Sequence, residues 1–254
     1  MTSRATLRGS VAGAVATITI DNPAKRNAMT ALMWRSLPAL LEDLQNHSTV
    51  RVVVLTGAEG TFCAGADISD LDAIGADNST SNLAVLAEQA LASFPKPTIA
   101  RIEGDCIGGG CQLALACDLR LAAPGARFGL TPARLGVVYP AVSTARLVHT
   151  VGLAQAKWLL LTGELVTAAG AQRLGLVHEV ASDLDARVEA VASTLASRSL
   201  LSQAAAKEIM EMTADGVDAA RVHHWMNLMR ESGEAAEGAA AFLGRRRPDF
   251  PWKP

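Results

Sequence analysis

Three consecutive glycines, Gly108 to Gly110, stand between the apolar run "TIARI" and a second apolar run, "CQLALAC". A buried strand that passes into a helix through residues without side chains commits the chain to a tight junction. The first turn of such a helix carries N–H groups with no acceptor inside the helix, at the positive end of the helix dipole. With no side chains in the way, those N–H groups can approach a ligand closely. The junction therefore predicts a site for an anion or for an oxyanion formed during reaction. Close packing of strand on helix is the other use for the same glycines. The spacing excludes a dinucleotide fingerprint, because position 113 is Leu113, and no GK[ST] follows to make a phosphate loop. One polar side chain, Gln112, sits in the first turn.

A second glycine-rich loop, "GAEGTFCAGAD", follows the continuous apolar run "VRVVVLTG", which suits a buried strand. Two bare loops, each leaving a buried strand, can converge on one oxygen atom, and two donors are what an oxyanion hole needs. "VATITIDNP" alternates with period two and stops at Asn22-Pro23, which predicts a strand ending in a turn. The helical spacing of "TALMWRSLPALLEDLQNH" predicts a helix with Thr30 as N-cap and a kink or break at Pro38. A further helix runs to about Phe94, and "LRLAA" reads as a short strand. "GARFGLTPARLGVVYP" is turn-rich, and the pattern from Ala141 onward is mostly helical. Residues 68 to 82 are the most polar stretch and are expected to be the most mobile. The segment from about Leu200 to Leu243 is amphipathic helix, expected to pack on the main body or on another subunit.

The charge balance, 23 Lys and Arg against 25 Asp and Glu, gives no basic surface for nucleic acid or an anionic membrane. No apolar run approaches the length of a membrane span, and "MTSRATLRGS" lacks the apolar core of a signal peptide, so a cytoplasmic location is expected. The four cysteines, Cys63, Cys106, Cys111 and Cys117, have no CxxC spacing and read as small buried residues in a reducing compartment. No metal is expected. His223 and His224 are adjacent and cannot share a helix face. His149 has no visible partner and reads as an ordinary helix histidine.

"DNPAKRNAM", "GTFCAGADI", "GGGCQLALACDLRLA", "LTGELVTAAGAQRLGLVHEV" and "EGAAAFLGRRRPDF" occur in the order seen in the enoyl-CoA hydratase/isomerase, or crotonase, family. The resemblance covers nearly the whole chain. It implies an α/β fold, a spiral of ββα units over residues 1–198, followed by a C-terminal helical trimerisation region over 199–254. It also implies a homotrimer or a hexamer built as a dimer of trimers. The implied substrate is an acyl-CoA thioester, with coenzyme A entering as part of the substrate and no permanently bound cofactor. The enolate oxygen would be held by the backbone N–H groups of Ala66 and Gly109. Coenzyme A contacts are implied at Lys25 and Ala28, along Ala64 to Ile68 with Asp67 among them, and at Arg245, which would serve a neighbouring subunit's ligand. Asp67 also reads as an N-cap for the helix after it.

The chain departs from the family where hydratases carry two glutamates. One position holds Gln112 and the other, by the spacing to Gly136, holds Pro132. A positioned acid or base contributes roughly 10²–10⁴-fold in rate, and an amide does not titrate in the useful range. Tyr139, the only tyrosine, lies in the segment that lines the acyl pocket in relatives, within a "TP…LG…Y" pattern similar to that of methylmalonyl-CoA decarboxylase, a family member. Three readings stay open: hydration or isomerisation with other acid/base groups, decarboxylation of a malonyl-CoA-type thioester, and acyl-CoA binding without catalysis. In the second, neutral Gln112 and Tyr139 would hold the substrate carboxylate, with Arg134 as a further candidate partner.

Overall fold

The alternating run at the start of the chain forms strand β2 (Val15–Asp21), whose Ala16, Ile18 and Ile20 point into the core. In the computed structural model, which describes residues 5–74, 82–212 and 216–254, β2 pairs antiparallel with a strand that the sequence pattern did not announce, β1 (Thr6–Ala12). Nearly every side chain of β1 is exposed, so no alternation in hydrophobicity marks it. Helix α1 (Ala31–Asn46) starts at Thr30, whose hydroxyl accepts from the Met33 N–H at 3.3 Å. It continues through Pro38 as one element, so the expected break does not occur. The inward stripe of Met33, Trp34, Leu37, Leu41 and Leu44 holds the helix on the core although proline removes one of its hydrogen bonds.

Strand β3 (Val52–Gly57) is buried on both faces, which explains its uninterrupted apolar sequence. After it come two short helical turns, a 3-10 turn at Ile68–Asp70 and α2 (Leu71–Ile74), then α3 (Leu83–Ala92). Residues 68–74 are thus helical rather than an open loop, and residues 75–81 of the polar stretch lie outside the described residues. Next are β4 (Thr98–Ile102), β5 (Asp105–Ile107), α4 (Gly109–Ala116), β6 (Leu119–Ala122), β7 (Arg127–Gly129) and α5 (Pro132–Leu135). The helical half holds α6 (Ala141–Thr162, interrupted at Gly152), β8 (Val166–Thr167), α7 (Ala168–Arg173), β9 (Glu179–Val180) and α8 (Leu184–Ala196). It closes with α9 (Leu200–Met212), α10 (Ala219–Ser232) and α11 (Glu234–Leu243).

Six strands form one sheet in the order β1-β2-β3-β4-β6-β9, parallel except for the β1–β2 pair. Three form a second sheet, β5-β7-β8. Consecutive units contribute one strand to each sheet and then a helix: β4, β5 and α4, followed by β6, β7 and α5. The isolated bridge between Cys63 and Cys106 extends the second sheet back to the loop after β3. This repeat is the ββα spiral. Val53 and Leu55 of β3 join the main core, while Val52 and Val54 face Leu184, Val188 and Ala192 of α8. Burying each such valine or leucine contributes roughly 1.5–3 kcal/mol. The spiral also sets the site, because the loops after β3 and β5 leave the two sheets side by side. Among the described residues, no helix is long and apolar enough to cross a membrane.

Candidate active site

The three glycines at the start of α4 have three separate tasks. Gly108 takes a backbone conformation at φ 55°, ψ −116°, outside what side-chain-bearing residues tolerate. Its N–H donates to the Gly129 carbonyl at 2.8 Å, which fixes the turn on β7. A Cβ on Gly110 would lie 2.2 Å from the Cys63 carbonyl oxygen, so this glycine serves close packing between the loops. A Cβ on Gly109 would lie 3.3 Å from the Ala66 nitrogen and 3.0 Å from Trp34 Cζ2. Gly109 therefore faces the second glycine loop across a narrow gap. The packing reading holds at Gly110, and Gly109 places its bare backbone against the Ala66 loop.

Ala66 is held by a parallel bridge to Met29. Met29 donates its N–H to Gly65 and accepts from the Asp67 N–H, each at 2.8 Å. In that pattern the N–H of Ala66 itself points away from Met29. Neither it nor the N–H of Gly109, the first residue of its helix, has an acceptor among the described residues. The far end of α4 is closed instead: buried Arg120 donates to the Cys117 carbonyl at 2.7 Å and the Ala114 carbonyl at 3.5 Å. The helix thus has its carbonyl end met by a cation, while the N–H of its first residue has no acceptor among the described residues. Trp34 lies under Gly109, fully buried, and its indole N–H has no partner among the described residues.

Gln112 is buried, and its amide nitrogen donates to Glu88 at 2.7 Å. Glu88, on α3, has no exposed surface. The same carboxylate accepts from the Ser143 hydroxyl at 2.5 Å and pairs with Arg146 Nε at 2.9 Å. Sequence reasoning passed over Glu88. The signal was present, since Ala84, Ala87 and Leu91 form a buried stripe at helical spacing and Glu88 falls within it.

Tyr139 reaches this place too. Its hydroxyl donates to the Gly108 carbonyl at 3.5 Å, the long limit of such a bond. Although the residue as a whole is half-buried, its hydroxyl end is enclosed, and that burial pushes its pKa well above the usual tyrosine value. It is a neutral donor at ordinary pH. Burial likewise pushes the Cys63 and Cys117 thiols up to about 12, and all four cysteines are free and buried.

The expected coenzyme A contacts divide. Lys25 Nζ bonds Asp67 at 2.6 Å and Ser69 Oγ at 3.0 Å, at the rim of the Ala66 loop. Burial works against the Asp67 carboxylate, but Lys25 and the Ser69 donors outweigh it and hold its pKa below the ordinary value. Asp67 also accepts from the Ser69 N–H, as an N-cap does. Ala28 is buried, Ala64 donates its N–H to the Arg26 carbonyl, and Ile68 is 67% exposed beside them. Arg245 is not brought to this group within one chain. It sits exposed in the turn after α11, and the tail beyond it meets Arg51 through the Phe250 carbonyl. Arg134 is exposed against Gly163, and His149, His223 and His224 are surface residues.

The sequence profile of the enoyl-CoA hydratase/isomerase family matches residues 10–253. A protein of Thermus thermophilus, provisionally named an enoyl-CoA hydratase, is 37% identical over 94% of this chain and 98% of its own length. The 2,3-dehydroadipyl-CoA hydratase of Escherichia coli is 34% identical over 92% of this chain and 93% of its own. Among solved structures, an enoyl-CoA hydratase/isomerase family member superposes with a TM-score of 0.92 at 38% identity, covering 99% of this chain and all of the other.

Proposed function

The chain belongs to the enoyl-CoA hydratase/isomerase family, and from that premise we propose that it turns over a 2-enoyl-CoA thioester by hydration. In this reading the thioester oxygen lies between the N–H groups of Ala66 and Gly109. It gains negative charge as water adds its hydroxyl to Cβ, and the proton that this water gives up passes to Cα, returning the enolate to the thioester. The observation that carries the reading is that the N–H groups of Ala66 and Gly109 have no acceptor among the described residues and lie on adjoining loops, where a Cβ built on Gly109 would fall 3.3 Å from the Ala66 nitrogen. Donors fixed in this way stabilise the developing oxyanion without reorganising during the reaction.

Gln112 and Tyr139 complete the site as neutral groups. Gln112 orients the water, and Tyr139 stays protonated as a donor. Lys25, Ala28, Ala64, Asp67 and Ile68 form the coenzyme A side, and Arg245 reaches a neighbouring subunit's ligand in a trimer or hexamer built through the C-terminal helices. With no titrating side chain at position 112, turnover is expected to be slower than a two-carboxylate hydratase achieves. Decarboxylation has less support, because a substrate carboxylate at Gln112 would sit one side chain from the Glu88 carboxylate, whose Arg146 partner is already engaged.

The test uses two probes on the purified protein. Acetoacetyl-CoA, bound as its enolate, reports the oxyanion hole through the ultraviolet enolate band. Crotonyl-CoA and 2,3-dehydroadipyl-CoA report hydration. Enolate binding with hydration, both removed by Gly109→Ala, is the expected result. Enolate binding with no hydration of either thioester would leave a binding protein or a decarboxylase, the latter decided by carbon dioxide release from malonyl-CoA.

A further inference from the structure

Glu88 is a carboxylate with no exposed surface, set in the buried stripe of Ala84, Ala87 and Leu91 on α3. Its partners come from two other elements: Gln112 from α4, and Ser143 and Arg146 from α6. Arg146 faces Glu211 on its outer side at 3.7 Å, and Tyr139 lies close enough for the Glu88 charge to act on its hydroxyl. An amide has two N–H donors on one atom and an acceptor oxygen on the other, and rotation about its last torsion exchanges them. A carboxylate accepts and cannot donate. The 2.7 Å bond from Gln112 Nε2 to Glu88 therefore decides which way the amide points. The Gln112 carbonyl oxygen takes no hydrogen bond among the described residues, and it is absent from the sealed, unpaired polar atoms, which are Trp34 Nε1 and Gln203 Oε1.

We propose that Glu88 is a positioning and specificity-determining residue: by holding Gln112 Nε2 it turns the Gln112 carbonyl oxygen to the thioester at Ala66 and Gly109. An acceptor oxygen there takes a hydrogen bond from water or from a substrate hydroxyl. It repels a carboxylate. The inference rests on the thioester reading above and deepens it, naming the side chain that selects water at this site. It also makes Glu88 and Gln112 an exchangeable pair. Glu88→Gln with Gln112→Glu keeps the net charge and both hydrogen-bonding groups, but moves the carboxylate one hydrogen bond closer to the oxyanion hole.

The experiment compares the wild type, Glu88→Gln and the double exchange, with the enolate band of acetoacetyl-CoA as an independent readout. In Glu88→Gln the partner amide offers either end, so Gln112 loses its fixed orientation. The expected result is a fall in kcat on crotonyl-CoA of about 10–100-fold with KM and the enolate band little changed. The exchange is expected to exceed Glu88→Gln in kcat and to add an acidic limb to the pH profile. A melting temperature lowered by Glu88→Gln with kcat unchanged, or an exchange no better than Glu88→Gln, would overturn the proposal and leave a purely structural knot. Should Glu88→Gln fail to fold, Glu88→Asp keeps the charge opposite Arg146 but draws back from Gln112, and the same loss of kcat is expected. If the wild type binds the enolate but hydrates too slowly to compare, the exchange decides alone: gain of hydration supports the proposal, no gain overturns it. No enolate band in the wild type would instead sink the thioester reading, and this proposal with it.

Discussion

Helices α3 and α4 meet at the bond between Glu88 and Gln112, yet they serve the site in opposite ways. Helix α4 offers backbone: three glycines, an open N–H end and a carbonyl end closed by Arg120. Helix α3 offers one side chain, a buried carboxylate that matters only because Gln112, Ser143 and Arg146 arrive from elsewhere in the fold. A backbone site is written into consecutive residues. A side-chain cluster is written into the packing of distant ones.

The sharpest way to test that contrast is to remove each contribution and ask whether stability or chemistry is lost. Glu88→Ala leaves Arg146 and two polar partners facing an empty, buried position. It should destabilise the fold by about 3–5 kcal/mol, read by thermal or denaturant unfolding. Gly109→Ala should do the reverse. Its methyl enters the gap toward Ala66 and Trp34, and transition-state stabilisation should fall by about 3–4 kcal/mol in kcat/KM, with a smaller loss in unfolding free energy than Glu88→Ala causes. A Gly109→Ala variant that melts early but keeps its activity would dissolve the distinction.

Gly110→Ala sharpens the same comparison one residue along. Its methyl would meet the Cys63 carbonyl, a backbone atom that cannot swing aside, so a loss of about 1–3 kcal/mol in unfolding free energy is expected. The smallest effect belongs to the rim. Lys25 is half-exposed in its pair with Asp67, so Lys25→Ala should cost under about 1 kcal/mol in stability, while KM for a coenzyme A thioester rises. The sign of its pH dependence follows from the lowered Asp67 pKa. The pair's contribution is full above the ordinary aspartate pKa and is lost as pH falls through the lower, folded value. Wild type and Lys25→Ala should therefore converge in stability in strong acid and separate as the pH rises.

Much of the architecture could be read before any coordinates. The continuous apolar run at Val52–Leu55 matched a strand buried on both faces, and the alternation at Val15–Asp21 matched one at the sheet's outer part. Strand β1 escaped because an exposed edge strand carries no hydrophobic alternation. Pro38 did not break α1 because proline's local cost was offset by a buried stripe along the rest of the helix. At the site, Ala66, Gly109, Gln112 and Tyr139 were all named in advance, and the structure brings their segments together. Glu88 was not named. Its meaning depends on three partners that lie 24, 55 and 58 residues away in the chain.

The sequence by itself determined the two bare loops and the buried strands before them, because glycine and apolar periodicity act through local backbone geometry. Its five ordered motifs carried the resemblance that implied the family and the ββα order. Only the tertiary structure decided that Gly110 packs on the Cys63 carbonyl and that Gly109 lies against the Ala66 loop. It also decided which end of the Gln112 amide is held by Glu88. Those outcomes depend on distances of a few ångströms between segments far apart in the chain, and no local pattern encodes them.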